Sequence, residues 1–143
     1  MTEAPGWFAD KFNLANLSVQ RYAFWTWSIR PMQCTLGSGV LSLNRPCPAW
    51  GDTTSEENAE LAQVISDAEH KLKLCFAYDK INFLMLMMVD PHVHFHVIPR
   101  YAGPSQRYGL EWVDAAWPKL PDFYSGVADS AVLEQIRSDL SSA

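Results

Sequence analysis

Leu61, Val64, Ile65, Ala68, Leu72, Cys75 and Phe76 recur at three- and four-residue steps, so the stretch 53–77 predicts an amphipathic helix with one apolar stripe. Thr53 or Thr54 stands three residues before Glu56 or Glu57, the signature of a capping box, and His70 falls on the solvated face opposite the stripe. Other patterns predict strands. Residues 22–29 are aromatic and β-prone, and Pro31, Gly37 and Gly39 mark the turn into a short strand at 40–43, closed by Pro46 and Pro48. The apolar run 81–89 reads as a strand buried on both faces, because Asp90-Pro91 blocks helical continuation. Its methionines, Met85, Met87 and Met88, read as core filling without chemistry. Residues 92–98 alternate with period two and predict the next strand, ended by Pro99. Beyond it lies a turn-rich aromatic stretch, 100–122, in which Trp112 and Trp117 are expected to cover a core edge, and then a short helix capped by Asp129. No repeat or linker interrupts this order, which predicts one α+β domain over 1–143.

Composition narrows the function. Hydrophobic residues make up 48% and charged residues 19% of 143, the balance of a folded chain able to bury a core. A net charge of -5 argues against a broad electrostatic grip on nucleic acid, while leaving room for a small anionic ligand. The longest wholly apolar run, 83–89, is far shorter than the roughly 20 residues that cross a bilayer, so no membrane partner is expected. The opening MTEAPGWFADKF lacks a basic start and an apolar h-region, and Cys34, Cys47 and Cys75 are odd in number and far apart. Both features lead to the expectation of a cytoplasmic protein with free thiols.

Three of the four histidines lie within five residues of the stretch DPHVHFHVIPRY. In a strand, His92, His94 and His96 project to one face while Val93, Phe95 and Val97 project to the other, with same-face neighbours about 7 Å apart. Three uses compete for such a row. The rings could be hydrogen-bonded structural groups, they could ligate a metal, or one could attack phosphorus while its neighbours bind the anionic oxygens. A linear row suits the last use better than the second, and His94 is its central ring.

The heptapeptide HVHFHVI matches the histidine triad pattern, His-apolar-His-apolar-His-apolar-apolar, at each position, and PRY follows it. With DKIN upstream, and QCTLGSGVLSLNRP ahead of a capped helix, residues 22–101 resemble the bacterial branch of histidine triad hydrolases that includes diadenosine-polyphosphate hydrolases. The resemblance implies an antiparallel sheet of about five strands with one main helix and a short C-terminal helix. It also implies a homodimer and a nucleotide site on each subunit. His94 would attack the α-phosphorus through Nε2, with its Nδ1–H held by the backbone carbonyl of His92. His96 would contact the phosphate, the His92 side chain would support the site, and Asn82 would bind near the ribose or phosphate, its competing role being a turn residue at a strand start. No metal or other cofactor would be required, a divalent cation entering only with a polyphosphate substrate. The alternative function is a fold of this type that binds a nucleotide or a partner with little turnover.

Two positions depart from the pattern. Met87, Met88, Val89 and Asp90 occupy the place where many relatives put a glycine and a small or amide residue, and a carboxylate there repels phosphate unless it is paired or turned away. Arg45, Pro46 and Cys47 stand where many relatives have a further histidine; Arg45 is either a charge for a polyphosphate or a surface residue.

Overall fold

The computed structural model describes residues 2–143. Helices α1 (Gly6–Lys11) and α2 (Leu14–Leu17) lead into strands β1 (Ser18–Arg21), β2 (Trp25–Ile29) and β3 (Gly39–Leu43). The long helix α3 (Ser55–Phe76) follows, then β4 (Lys80–Leu84), β5 (His94–Arg100), a hairpin of β6 (Ser105–Arg107) and β7 (Leu110–Trp112), and helix α4 (Ser130–Ser142). Strands β1 to β5 form one antiparallel sheet in the order β1-β2-β3-β5-β4. This is the α+β architecture that the sequence predicts.

Register sorts the side chains onto two faces. Trp25 opposes Leu43, Trp27 opposes Leu41, and Leu41 opposes Phe95, so these residues share one face. That face carries the main core, which takes in Val93 and Val97, the α3 stripe Leu61, Val64, Ala68, Leu72 and Phe76, and Val132, Leu133, Ile136 and Leu140 of α4. Thr26 opposes Ser42, Ser42 opposes His94, and Val40 opposes His96 on the other face. There Phe8 and Phe12 close over Val40 as a second apolar cluster. With both faces covered, every residue of β2, β3 and β5 is buried.

The start of α3 is fixed by its cap. Thr54 Oγ1 accepts from the Glu57 amide at 3.1 Å, and Glu57 Oε1 accepts from the Thr54 amide at 2.8 Å. Arg45 clamps the same carboxylate, Nε to Oε2 at 2.8 Å and Nη2 to Oε1 at 3.0 Å, and also donates to the Asp52 carbonyl. The guanidinium holds the Glu57 carboxyl below its usual range. Arg45 therefore ties the segment after β3 to the start of α3, and it is not among the residues that line the cavity at His94 and His96. Replacing Glu57 by alanine removes half of the capping box and the partner of Arg45, and is expected to lower unfolding stability by about 2 kcal/mol in denaturant titration.

Several predicted boundaries move. Strand β2 begins at Trp25, since the Tyr22 amide bonds to the Trp25 carbonyl at 2.7 Å and turns the chain from β1. The run 81–89 is strand only to Leu84; Met87 takes a left-handed φ of 51°, and Leu86, Met88 and Val89 are exposed. Strand β5 starts at His94, leaving His92 just outside it, and runs through Pro99 to Arg100. Pairing with β3 ends at Val97, so the missing Pro99 amide costs no bond to that neighbour. Trp112 is buried in the core, Trp117 is only half-buried, and His70 is exposed as expected. Among the described residues no helix is long and apolar enough to cross a membrane.

Candidate active site

The three histidines have different duties. His92 is fully buried, and its Nε2–H donates to the Leu43 carbonyl at 2.8 Å while Nδ1 accepts from the Cys47 amide at 3.4 Å. Both nitrogens are spent on backbone, so the entry to β5 is locked. The carbonyl of that locked residue accepts from His94 Nδ1 at 2.5 Å. A carbonyl cannot donate, so Nδ1 carries the proton and the lone pair of the neutral ring lies on Nε2. His94 and His96 pack edge-on, with ring centroids 5.0 Å apart. With both of its nitrogens committed, His92 has none to share with its neighbours at a common metal.

His94 and His96 line a cavity of about 370 Å³. Four segments complete it: Lys11 and Phe12, Arg30 after β2, the loop 86–90, and Phe123 with Tyr124. Lys11 Nζ is 2.7 Å from Asp90 Oδ1. The carboxylate that departs from the family pattern is thus paired with a cation. Met87 and Met88 also line the cavity; Met85 and Met87 pack against the main core as expected, whereas Met88 is exposed, contrary to its reading as core filling.

Sequence reasoning missed the roof of the site. Phe8 packs on His92 and His94 with centroids at 4.8 and 5.1 Å, and Phe12 lies 5.9 Å from His94 and 6.1 Å from His96. The signal was present: Phe8 and Phe12 are four residues apart, the spacing of one helical face. Phe123 was legible only in three dimensions. Its segment is held by paired amides and carbonyls of Gln33 and Val127, at 2.8 and 3.1 Å, and Gly126 has a φ of 147° where a Cβ would lie 2.2 Å from the Gln33 carbonyl oxygen. Arg30 stacks on the Phe123 ring at 5.2 Å and donates through Nη2 to its carbonyl. Asn82 lies on the histidine face of β4, with Oδ1 accepting from Arg100 Nη1 at 2.9 Å, and is not among the cavity-lining residues. Arg100 in turn is clamped by buried Asp114.

Burial holds His92 and His94 below the ordinary imidazole range, and burial followed by nearby Arg30 pushes His96 down to about 3. The native rings refuse protons that the unfolded chain accepts near 6.5. Stability is therefore full above that pH and falls as the pH drops from 6.5 toward about 3. The melting temperature is expected to decline across this window, and His96→Gln should flatten the decline relative to the native protein in parallel thermal melts.

No family model matches the sequence. A curated relative, the amylovoran biosynthesis glycosyltransferase AmsB of Erwinia amylovora, is 35% identical over 51 residues, and the match spans 33% of this chain and 17% of that protein. The structural likenesses extend much further. A histidine triad protein from Bradyrhizobium japonicum superposes with a TM-score of 0.73 at 21% identity, over 95% of this chain and 92% of its own. The chain has the histidine triad fold. A histidine triad nucleotide-binding protein from Sulfolobus tokodaii, described as hypothetical, gives 0.70 at 15% identity over 93% and 89% of the two chains. A zinc-bound histidine triad family protein from Mycobacterium smegmatis gives 0.62 at 17%, over 87% and 84%. At these identities the likeness is one of fold, and the chemistry of the triad fold in this chain rests on its own residues.

Proposed function

We propose that the protein is a hydrolase or nucleotidyl transferase that acts at the α-phosphate of a nucleoside phosphate through a covalent nucleotidyl-His94 intermediate. The observation that carries this reading is the 2.5 Å bond from His94 Nδ1 to the His92 carbonyl, which leaves Nε2 as the free lone pair of a cavity-lining ring. Burial keeps that ring neutral, and a neutral ring is the nucleophile. In the first displacement Nε2 forms a bond to phosphorus, and the bond to the leaving group breaks with its electron pair, a polyphosphate departing as the anion and an amine taking up a proton from solvent as it departs. In the second, water attacks phosphorus, the P–N bond returns its electrons to His94, and a nucleoside monophosphate departs. Each step is easier than direct attack by water because the nucleophile is already positioned.

His96 is the proposed donor to a phosphate oxygen. Its Nδ1 is buried without a partner among the described residues, so Nε2 is the nitrogen proposed to meet the phosphate. His92 acts through its carbonyl, as the positioning residue of His94. Asn82 is proposed to bind on the ribose side; its Oδ1 is held by Arg100 and its amide N–H groups are its means of donating. We place dinucleoside polyphosphates and nucleoside phosphoramidates among the substrates, a homodimer as the working assembly, the cytoplasm as its location, and a divalent cation only as the companion of a polyphosphate.

A panel of both substrate types, assayed with the native protein, tests the reading. Release of nucleoside monophosphate, with acid-labile label retained on protein after rapid quenching, is the expected result. Nucleotide binding without monophosphate release would replace it with the alternative of a binding protein with little turnover.

A further inference from the structure

The ion pair at the rim of the cavity has an asymmetry that bears on substrate choice. Asp90 is held in place: Pro91 follows it, its carbonyl accepts from the His92 amide at 2.8 Å, and its side chain is 12% exposed. Lys11 is 48% exposed at the end of a flexible four-carbon stem, on a helix whose own position is fixed by Phe8 and Phe12 against the histidines. So exposed an ammonium holds its partner weakly. The other cation of the cavity, Arg30, is built into its wall: it donates to Cys34 Sγ at 3.3 Å and to the Phe123 carbonyl at 3.4 Å and stacks on the Phe123 ring, while its buried Nε has no partner among the described residues. Lys11 is thus the lining cation that can turn toward an incoming charge without dismantling a wall of the site.

We propose that Lys11 is a specificity residue that binds the negatively charged leaving group of the substrate, and that Asp90 is its resting counter-ion, displaced when that group arrives. The proposal rests on the reading of His94 as nucleophile. A polyphosphate leaving group carries charge beyond the α-phosphate and replaces the carboxylate as the partner of Lys11. A neutral amine does not, and meets the pair intact. Asp90 therefore acts as a competitor that sets how strongly anionic leaving groups are preferred. This gives the departure at position 90 a function where a bare carboxylate would only repel.

The test uses two substrates that share the nucleoside monophosphate half, one leaving as a polyphosphate and the other as a neutral amine, and follows the ratio of their kcat/KM values. Lys11→Met keeps most of the stem and is expected to lower the ratio about tenfold, the scale of a lost hydrogen bond to a charged group, while Lys11→Arg should retain most of it. Asp90→Asn should raise the ratio about threefold by freeing the ammonium from its weakly held partner. An unchanged ratio in Lys11→Met and Asp90→Asn would overturn the proposal and leave the pair as a clasp between α1 and the loop. If the native protein turns over neither substrate, the nucleophile reading has failed, and the inference is then read from calorimetric binding of inorganic pyrophosphate. Weaker binding by Lys11→Met supports it, and equal binding by the native and Lys11→Met proteins overturns it.

Discussion

Replacing His94 by alanine is expected to lower kcat/KM by about 10⁴-fold or more while leaving the fold intact, because the substitution removes the atom that bonds to phosphorus. The main core lies on the other face of the sheet, and the backbone carbonyl of His92 survives the change. A melting temperature within a few degrees of the native value would accompany the lost turnover. Free imidazole should restore part of the activity to His94→Gly by entering the space vacated by the ring. Turnover that persists in His94→Ala would remove this residue from the mechanism.

The second large effect belongs to a residue without polar chemistry. Phe8 is fully buried between α1 and the sheet, in contact with both His92 and His94. Phe8→Ala is expected to cost about 3–5 kcal/mol in unfolding free energy, the usual range for deleting a buried aromatic ring. Its consequence for catalysis follows from the same contact. With the roof removed, the His94 ring gains room to swing about its Nδ1 bond, and a loosely aimed nucleophile loses up to about 100-fold in rate. Phe8→Leu fills part of the space and should recover most of the stability with less of the rate. Denaturant titration and steady-state kinetics on the two variants separate these effects. A destabilised Phe8→Ala protein with native kcat would show that α1 covers the triad without positioning it.

The parts of this molecule that were legible in the sequence are those governed by a single local period. The α3 stripe from Leu61 to Phe76 and its capping box follow helical spacing and lie in the structure where that spacing puts them. The alternation through His94 and His96 likewise placed both rings on one face. What the sequence concealed depends on contacts between distant segments. Leu86 to Val89 are as apolar as the strand that precedes them, and only the turn at Met87 makes them a cavity wall. Lys11 and Asp90 are 79 positions apart, so a carboxylate that reads as a defect in the local motif is answered by a helix whose role was not evident. Arg45, which the sequence left open between two roles, is likewise decided by a contact between segments, its ion pair with Glu57 on the neighbouring helix.

The stereochemical course at phosphorus addresses the central claim most directly. A single diastereomer of a substrate bearing α-thiophosphate, hydrolysed in ¹⁸O-labelled water, yields a chiral thiophosphate whose configuration counts the displacements. Two in-line steps through His94 Nε2 predict overall retention. Inversion would mean that water reaches phosphorus without the imidazole bond, and would contradict the account.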